Sequence, residues 1–237
     1  TPRELLNSKR VDAVLVATPH FDHTVSGIAA LRAGVHVLLE KPISVHKADA
    51  MRLLAAHKKP GQVFAAMFNQ RTDPYFRKIM ELIIAGALGP LQRIQWTITD
   101  WYRTDAYYAS GGWRATWAGE GGGVLLNQAP HNLDILQWLF GMPARVHAFA
   151  GFGKYHAIEV EDEVTAYLEY VSGCSATFIT TTGETLGTNR LEIAGDFAKV
   201  VYERDQLRVT HNETGRAGHS RTCPGFFDRP ATREETF

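Results

Sequence analysis

Three short apolar runs punctuate the N-terminal part of the chain: VDAVLVATP at 11–19, VHVLL at 35–39 and VFAAMF at 63–68. Runs of this kind read as strands buried on both faces, which requires a parallel sheet covered by helices. Between them, Val25, Ile28, Ala29 and Leu31 share one side of a helix that Asp22 can cap and Gly34 can end. Ser44 can cap a second helix carrying Met51, Leu53, Leu54 and Ala55. Strands and helices alternating at this length give right-handed βαβ units and an open parallel sheet, half of a doubly wound domain.

After Arg71 the texture changes. Thr72-Asp73-Pro74 opens a helix running to about residue 86, with proline in its first turn. Ile94, Trp96 and Ile98 then alternate with Gln95, Thr97 and Thr99, the period of a strand with one wet face. Similar alternation recurs at 163–170, 175–181 and 190–194, whereas the polar tail from Asn212 onward reads as loop. The expected fold class is α/β: a partial doubly wound, Rossmann-like parallel sheet, then an α+β domain with a large open, mostly antiparallel sheet. The expected boundary lies near residue 70, giving domains of 1–70 and 71–237.

Composition removes several function classes. Twenty-five Lys and Arg balance 25 Asp and Glu over 237 residues, so neither a basic stripe for nucleic acid nor an acidic tail is expected. Apolar residues make up 45%, enough for a real core, and no run approaches the ~18 residues of a membrane helix. Two cysteines, Cys174 and Cys223, do not make a disulfide scaffold, and a reducing, cytoplasmic setting is the expectation. Cys174 sits in a strand pattern and reads as core rather than nucleophile.

Four groups of residues can carry chemistry. Ala17-Thr18-Pro19, followed by His23, ends the first strand. Open parallel sheets bind ligands at the carboxyl ends of their strands, and small residues there let a flat ligand approach the backbone. Strand-end prolines are also common turn punctuation, with His23 then an ordinary first-turn residue. Glu40-Lys41-Pro42 follows the second strand, where charges are unusual without partners. A lysine held there can polarise a hydroxyl; the alternative is a surface ion pair worth ~0–1 kcal/mol.

The third group is the run GGGVLLNQAPHNLD at 121–134. Proline is tolerated only in a helix's first turn, so a helix beginning near Asn127 is expected, placing Asn127, His131 and Asp134 on one face. Histidine is the usual general acid/base, because its unperturbed pKa of ~6.5 lies near working pH. The competing reading is a capping Asn and a core His bonded to Asp134; the triple glycine, which needs close backbone approach or positive φ, favours a site. The fourth group, DWYR at 100–103 with Tyr107, Tyr108, Trp113 and Arg114, suits a polyhydroxylated substrate. Flat rings cover C–H faces while Arg donates to hydroxyls, although the same residues anchor subunit interfaces. No metal is expected, since neither His20 with His23 nor His131 with Asp134 has zinc or calcium spacing.

In combination, VDAVLVATPHFDH, HVLLEKPIS and WRATWAGEGGGVLLNQAPHNLDILQWLFG resemble the Gfo/Idh/MocA family of NAD(P)-dependent oxidoreductases, over about residues 1–210. The resemblance implies a nucleotide-binding domain, a second domain with a large open sheet, and a homodimer or homotetramer. It implies that Lys41 is the active-site lysine of a Glu-Lys-Pro motif and that His131 is the acid/base of an Asp-x-x-x-His pattern. Ala17, Thr18, Pro19, His23, Glu40, Lys41, Trp113 and Arg114 are then expected to bind the cofactor. Trp101, Arg103, Tyr107, Asn127 and His131 are expected to bind the substrate.

The sequence departs from the pattern at Asn127, where an acid is frequent. An amide cannot take a proton, so Asn127 is expected to orient rather than relay. The glycine-rich fingerprint and the acidic residue that selects NAD over NADP are expected upstream of Thr1, in a functional protein longer than 237 residues. The implied activity is hydride transfer between a secondary alcohol of a sugar or cyclitol and NAD or NADP. Alternatives are an NAD-dependent glycosidase on the same scaffold and a non-catalytic sugar-binding or oligomerisation module.

Overall fold

The computed structural model describes residues 1–222 and 225–237; Cys223 lies outside them. The first elements are α1 (Pro2–Asn7), β1 (Ala13–Val16), α2 (His20–Ala33), β2 (His36–Leu39), α3 (Lys47–Ala56) and β3 (Phe64–Ala66). There follow α4 (Pro74–Ile84), β4 (Leu91–Ile98), α5 (Asp105–Ala109) and α6 (Pro130–Phe140). The chain ends with β5 (Arg145–Phe152), β6 (Glu161–Glu169), β7 (Ser175–Thr181), β8 (Asn189–Gly195), β9 (Ala198–Glu203), β10 (Gln206–Asn212), α7 (Arg216–Thr222) and β11 (Thr232–Thr236).

Packing groups these into two compact units. The first comprises Thr1–Asn69, Arg103–His131 and Phe152–Glu161; the second comprises Gln70–Tyr102, Asn132–Gly151 and Asp162–Phe237. The units are interleaved along the sequence, because two stretches beyond residue 70 pack with the first.

In the first unit β1, β2 and β3 form a parallel sheet in that order, with Val16 opposite Leu39 and Leu39 opposite Ala66. Val16, Ala30, Leu31, Val37, Leu39 and Leu53 make its buried core. At roughly 1.5–3 kcal/mol for each fully buried large side chain, this cluster fixes α2 and α3 on the sheet. Two expected caps are corrected. Asp22 lies inside the first turn of α2, which begins at His20. Ser44 bonds Thr24 Oγ1 at 2.7 Å instead of capping α3. The expectation of strands buried on both faces is also corrected at β1, where Leu15 is 58% exposed.

In the second unit an eight-stranded sheet runs in the order β11-β10-β9-β8-β4-β7-β6-β5. Strand β4 pairs with β7 in parallel, whereas β6–β7, β4–β8, β8–β9, β9–β10 and β10–β11 are antiparallel. The alternation read in β4 is realised: Ile94, Trp96 and Ile98 are buried, and Trp96 packs against Phe76 and Phe178. Asp73 caps α4, accepting from the Tyr75 N–H at 2.8 Å. The tail is not all loop. It holds α7 and β11, whose TREET sequence carries no apolar alternation and joins the sheet through backbone pairing with β10.

Candidate active site

The carboxyl ends of β1 and β2 lie side by side because the strands are parallel neighbours, and the Glu40 N–H donates to the Val16 carbonyl at 2.9 Å. Ala17, Thr18 and Pro19 leave β1 exposed to solvent, and Glu40-Lys41-Pro42 leaves β2 beside them. His23 is buried on α2. One ring nitrogen lies 2.8 Å from the Thr18 carbonyl and the other 2.7 Å from the Pro42 carbonyl. It ties the two strand-end loops together.

Lys41 is turned away from an ion pair with its neighbour. Glu40 Oε2 accepts the Lys41 backbone N–H at 3.1 Å, while the Lys41 ammonium donates to the Asn127 carbonyl at 2.5 Å and lies 3.3 Å from Asn127 Oδ1. Burial holds the Lys41 amine below the ordinary lysine value. Glu40 and Glu120 oppose that shift and Arg103 adds to it.

Asn127 precedes the helix. α6 begins at Pro130, and residues 124–129 form a tight turn in which the Asn127 N–H donates to the Gly123 carbonyl at 2.9 Å. The expected helix start at Asn127, and with it one helical face for Asn127, His131 and Asp134, is corrected. Pro130 has no N–H, so the Leu126 carbonyl receives no i→i−4 bond and the helix begins at the proline itself. Upstream, Glu161 holds the turn, Oε2 accepting from Gly123 and Oε1 from Leu125 at 3.0 and 3.1 Å. The glycine run serves this turn. Gly121 has φ +87°, and a Cβ on Gly123 would stand 1.9 Å from the Glu161 carbonyl oxygen. Asp134 accepts a bidentate pair from Arg71, at 2.7 Å from Nε and 2.6 Å from Nη2. The His131 ring meets Phe68 edge-on, with centroids 6.0 Å apart.

Glu120, not singled out in the sequence, is 2% exposed. Its Oε2 accepts from the Ala115 N–H at 2.7 Å, and its Oε1 accepts from Asn127 Nδ2. Burial raises its carboxyl above the ordinary glutamate value, opposed by the Ala115 hydrogen bond and by Arg114 and Lys41. The Glu120 carbonyl accepts a hydrogen bond from His20 Nδ1 at 3.0 Å, and burial pushes the His20 ring down. A carboxylate between two glycines, Gly119 and Gly121, was the available sequence signal.

The aromatic group divides. Tyr107 lies under two guanidinium groups, Arg103 at 5.1 Å and Arg114 at 4.7 Å from the ring centroid, and its hydroxyl accepts from Arg114 Nη1 at 3.0 Å. Arg114 also covers Trp113, which meets His20 edge-on. These residues share the first unit with Lys41, Asn127, Glu120 and His131, whereas Trp101 belongs to the second. Cys174 is buried in the second unit, and burial raises its thiol. Among the described residues no group of three His, Cys, Asp or Glu could hold a metal ion, and no helix is long and apolar enough to cross a membrane.

The site's chemistry fits the nicotinamide end of a dinucleotide. The small residues Ala17 and Thr18 at the end of one strand and a half-buried ammonium at the end of its neighbour give a flat face and a polar pointer. No Gly-x-Gly-x-x-Gly occurs within residues 1–237.

Residues 1–68 match the model of an oxidoreductase family with an NAD-binding Rossmann fold, and residues 76–201 match the GFO/IDH/MocA C-terminal domain. The chain is 30% identical to the myo-inositol 2-dehydrogenase of Thermotoga maritima over 140 residues, 59% of this chain and 39% of that protein. It is 32% identical to the 1,5-anhydro-D-fructose reductase of Ensifer adhaerens over 179 residues, 74% of this chain and 52% of that one. The solved WlbA dehydrogenase from Bordetella pertussis, in complex with NADH and UDP-GlcNAcA, superposes with a TM-score of 0.77 at 27% identity. That match covers 84% of this chain and 57% of that structure. The chain spans about half the length, or less, of these two curated relatives. With both of its halves matched by the two family models, the chain belongs to the GFO/IDH/MocA family of oxidoreductases.

Proposed function

We propose that the protein moves a hydride between a secondary alcohol of a sugar or cyclitol and NAD or NADP. The observation that carries this reading is the Lys41 ammonium, held half-buried at a strand's carboxyl end by the Asn127 carbonyl at 2.5 Å. When bound, the nicotinamide supplies the hydride acceptor or donor. Lys41 donates a hydrogen bond to the reacting oxygen and stabilises negative charge there. His131 takes the hydroxyl proton on oxidation and returns it on reduction. Asn127 fixes the direction of the lysine, and Ala17, Thr18, Pro19 and Glu40 line the cofactor at the strand ends. His23, Trp113 and Arg114 belong with the cofactor set, while Arg103 and Tyr107 meet the polyol, with a guanidinium donor for hydroxyls and a ring for C–H faces. A homodimer or homotetramer in the cytoplasm belongs to the same proposal.

The test is a panel of free sugars, nucleotide-linked sugars and cyclitols, each offered with NAD and NADP and followed by nicotinamide absorbance. Steady release of reduced cofactor is the expected result. Bond cleavage with no net change in cofactor would instead indicate the glycosidase, and sugar binding without turnover the non-catalytic module.

A further inference from the structure

An asparagine side chain has a donor end and an acceptor end of nearly the same shape, so something must decide which end meets a neighbouring lysine. At Asn127 the deciding group is visible. The Glu120 carboxylate receives the Nδ2 end, which leaves Oδ1 facing the Lys41 ammonium. We infer that Glu120 is a positioning residue which, through the Asn127 carboxamide, aims an acceptor at Lys41 and adds a buried negative charge to that of Glu40 beside the ammonium. The inference deepens the proposed function, since it rests on Lys41 being the group that holds the reacting oxygen.

Three observations carry it. Glu120 is more deeply buried than any other member of the group, and a carboxylate is costly there without donors. It has two, the Ala115 N–H and the Asn127 amide. The second donor belongs to the residue that touches Lys41, so the three side chains form one relay of donor and acceptor ends. The charged and titratable groups facing this relay are Glu40, Arg103 and His20 around Lys41, Arg114 and Glu161 around Glu120, and the Tyr107 hydroxyl, which accepts from Asn127 Nδ2 at 3.4 Å. Glu40 spends an oxygen on a backbone N–H, and Glu161 on the N–H groups of Gly123 and Leu125. Glu120 alone among these carboxylates reaches the lysine's partner.

A purely structural role is the rival, because Glu120 also holds the Ala115 N–H, and Ala115 has φ +52°. The two separate in the ionisation of Lys41, read in the full chain by competitive amine labelling across pH and mass spectrometry of the Lys41 peptide. Removing a nearby negative charge disfavours the ammonium. Glu120→Gln should therefore move the labelling midpoint to lower pH and lower kcat by roughly 10²-fold with a smaller change in KM. Glu120→Gln with Asn127→Asp returns the charge one residue closer to the lysine and should move the midpoint back up. An unchanged midpoint in a folded Glu120→Gln variant, or a double variant that stays with the single one, overturns the inference. If Glu120→Gln does not fold, the wild-type chain decides. The Asn127 Nδ2 proton should resonate downfield of ordinary asparagine amides, as a bond to a carboxylate requires, and an ordinary shift overturns the inference. Labelling and resonance need no substrate, so a wild-type protein that binds NAD or NADP yet turns over no polyol would defeat the proposed function while leaving these readings in place.

Discussion

The Lys41 ammonium rests 2.5 Å from the backbone carbonyl of Asn127 and 3.3 Å from that residue's Oδ1, both neutral acceptors. The lysine is 86 residues away in sequence, so this one ammonium joins the strand-end loop to the glycine-rich turn. A lysine bound in this way is oriented without being neutralised by direct contact with a carboxylate.

Burial lowers the Lys41 amine, which makes the unfolded chain the better proton binder between the lowered value and the ordinary lysine value. Stability should rise with pH through that alkaline window, because the native state is relieved of a charge it holds at a cost. Lys41→Met lacks this slope. Thermal melts over alkaline pH should show wild type gaining on the variant; parallel curves would mean that Lys41 is not held below its ordinary value.

His131→Ala should lower turnover by roughly 10²–10⁴-fold with little change in cofactor affinity, since proton transfer is lost and binding is not. Steady-state kinetics beside a cofactor titration check this. A folded variant with normal turnover would return His131 to a packing role against Phe68.

Asn127→Asp places a second carboxyl against Glu120, whose oxygen already meets the side chain at 127. Like charges this close cannot both ionise freely, so one proton is retained at higher pH. The acidic limb of the pH–rate profile should move upward in a folded variant. An unchanged profile would place Asn127 outside the reacting site.

Gly123→Ala should unfold or severely destabilise the turn, because its Cβ would lie 1.9 Å from the Glu161 carbonyl oxygen, a backbone atom that cannot swing aside. A loss at or above the ~1–3 kcal/mol usual for overpacking is expected in denaturant melts. A loss well under 1 kcal/mol would show that the turn can open.

Much of this arrangement was legible in the sequence, and what was not has physical causes. The parallel strands and the alternation of β4 were readable because apolar period is a local property, and Lys41 stood out as a charge after a buried run. The start of α6 differs from the expectation because Pro130 sets only the earliest residue at which a helix can begin, and its missing N–H removes the bond that would have extended the helix back to 127. Strand β11 was invisible because an edge strand needs backbone pairing alone. Glu120 escaped because its partners, Ala115, Asn127 and the lysine beyond, converge only in the folded chain.

The claim that the Lys41–Asn127 contact is the working centre of a dehydrogenase is tested most directly by turnover of Lys41→Met on whichever polyol the wild-type protein oxidises. Loss of the positioned donor at the reacting oxygen should cost roughly 10²–10³-fold in kcat, with the fold and the affinity for cofactor retained. A folded Lys41→Met variant that reduces the cofactor at the wild-type rate would contradict the account.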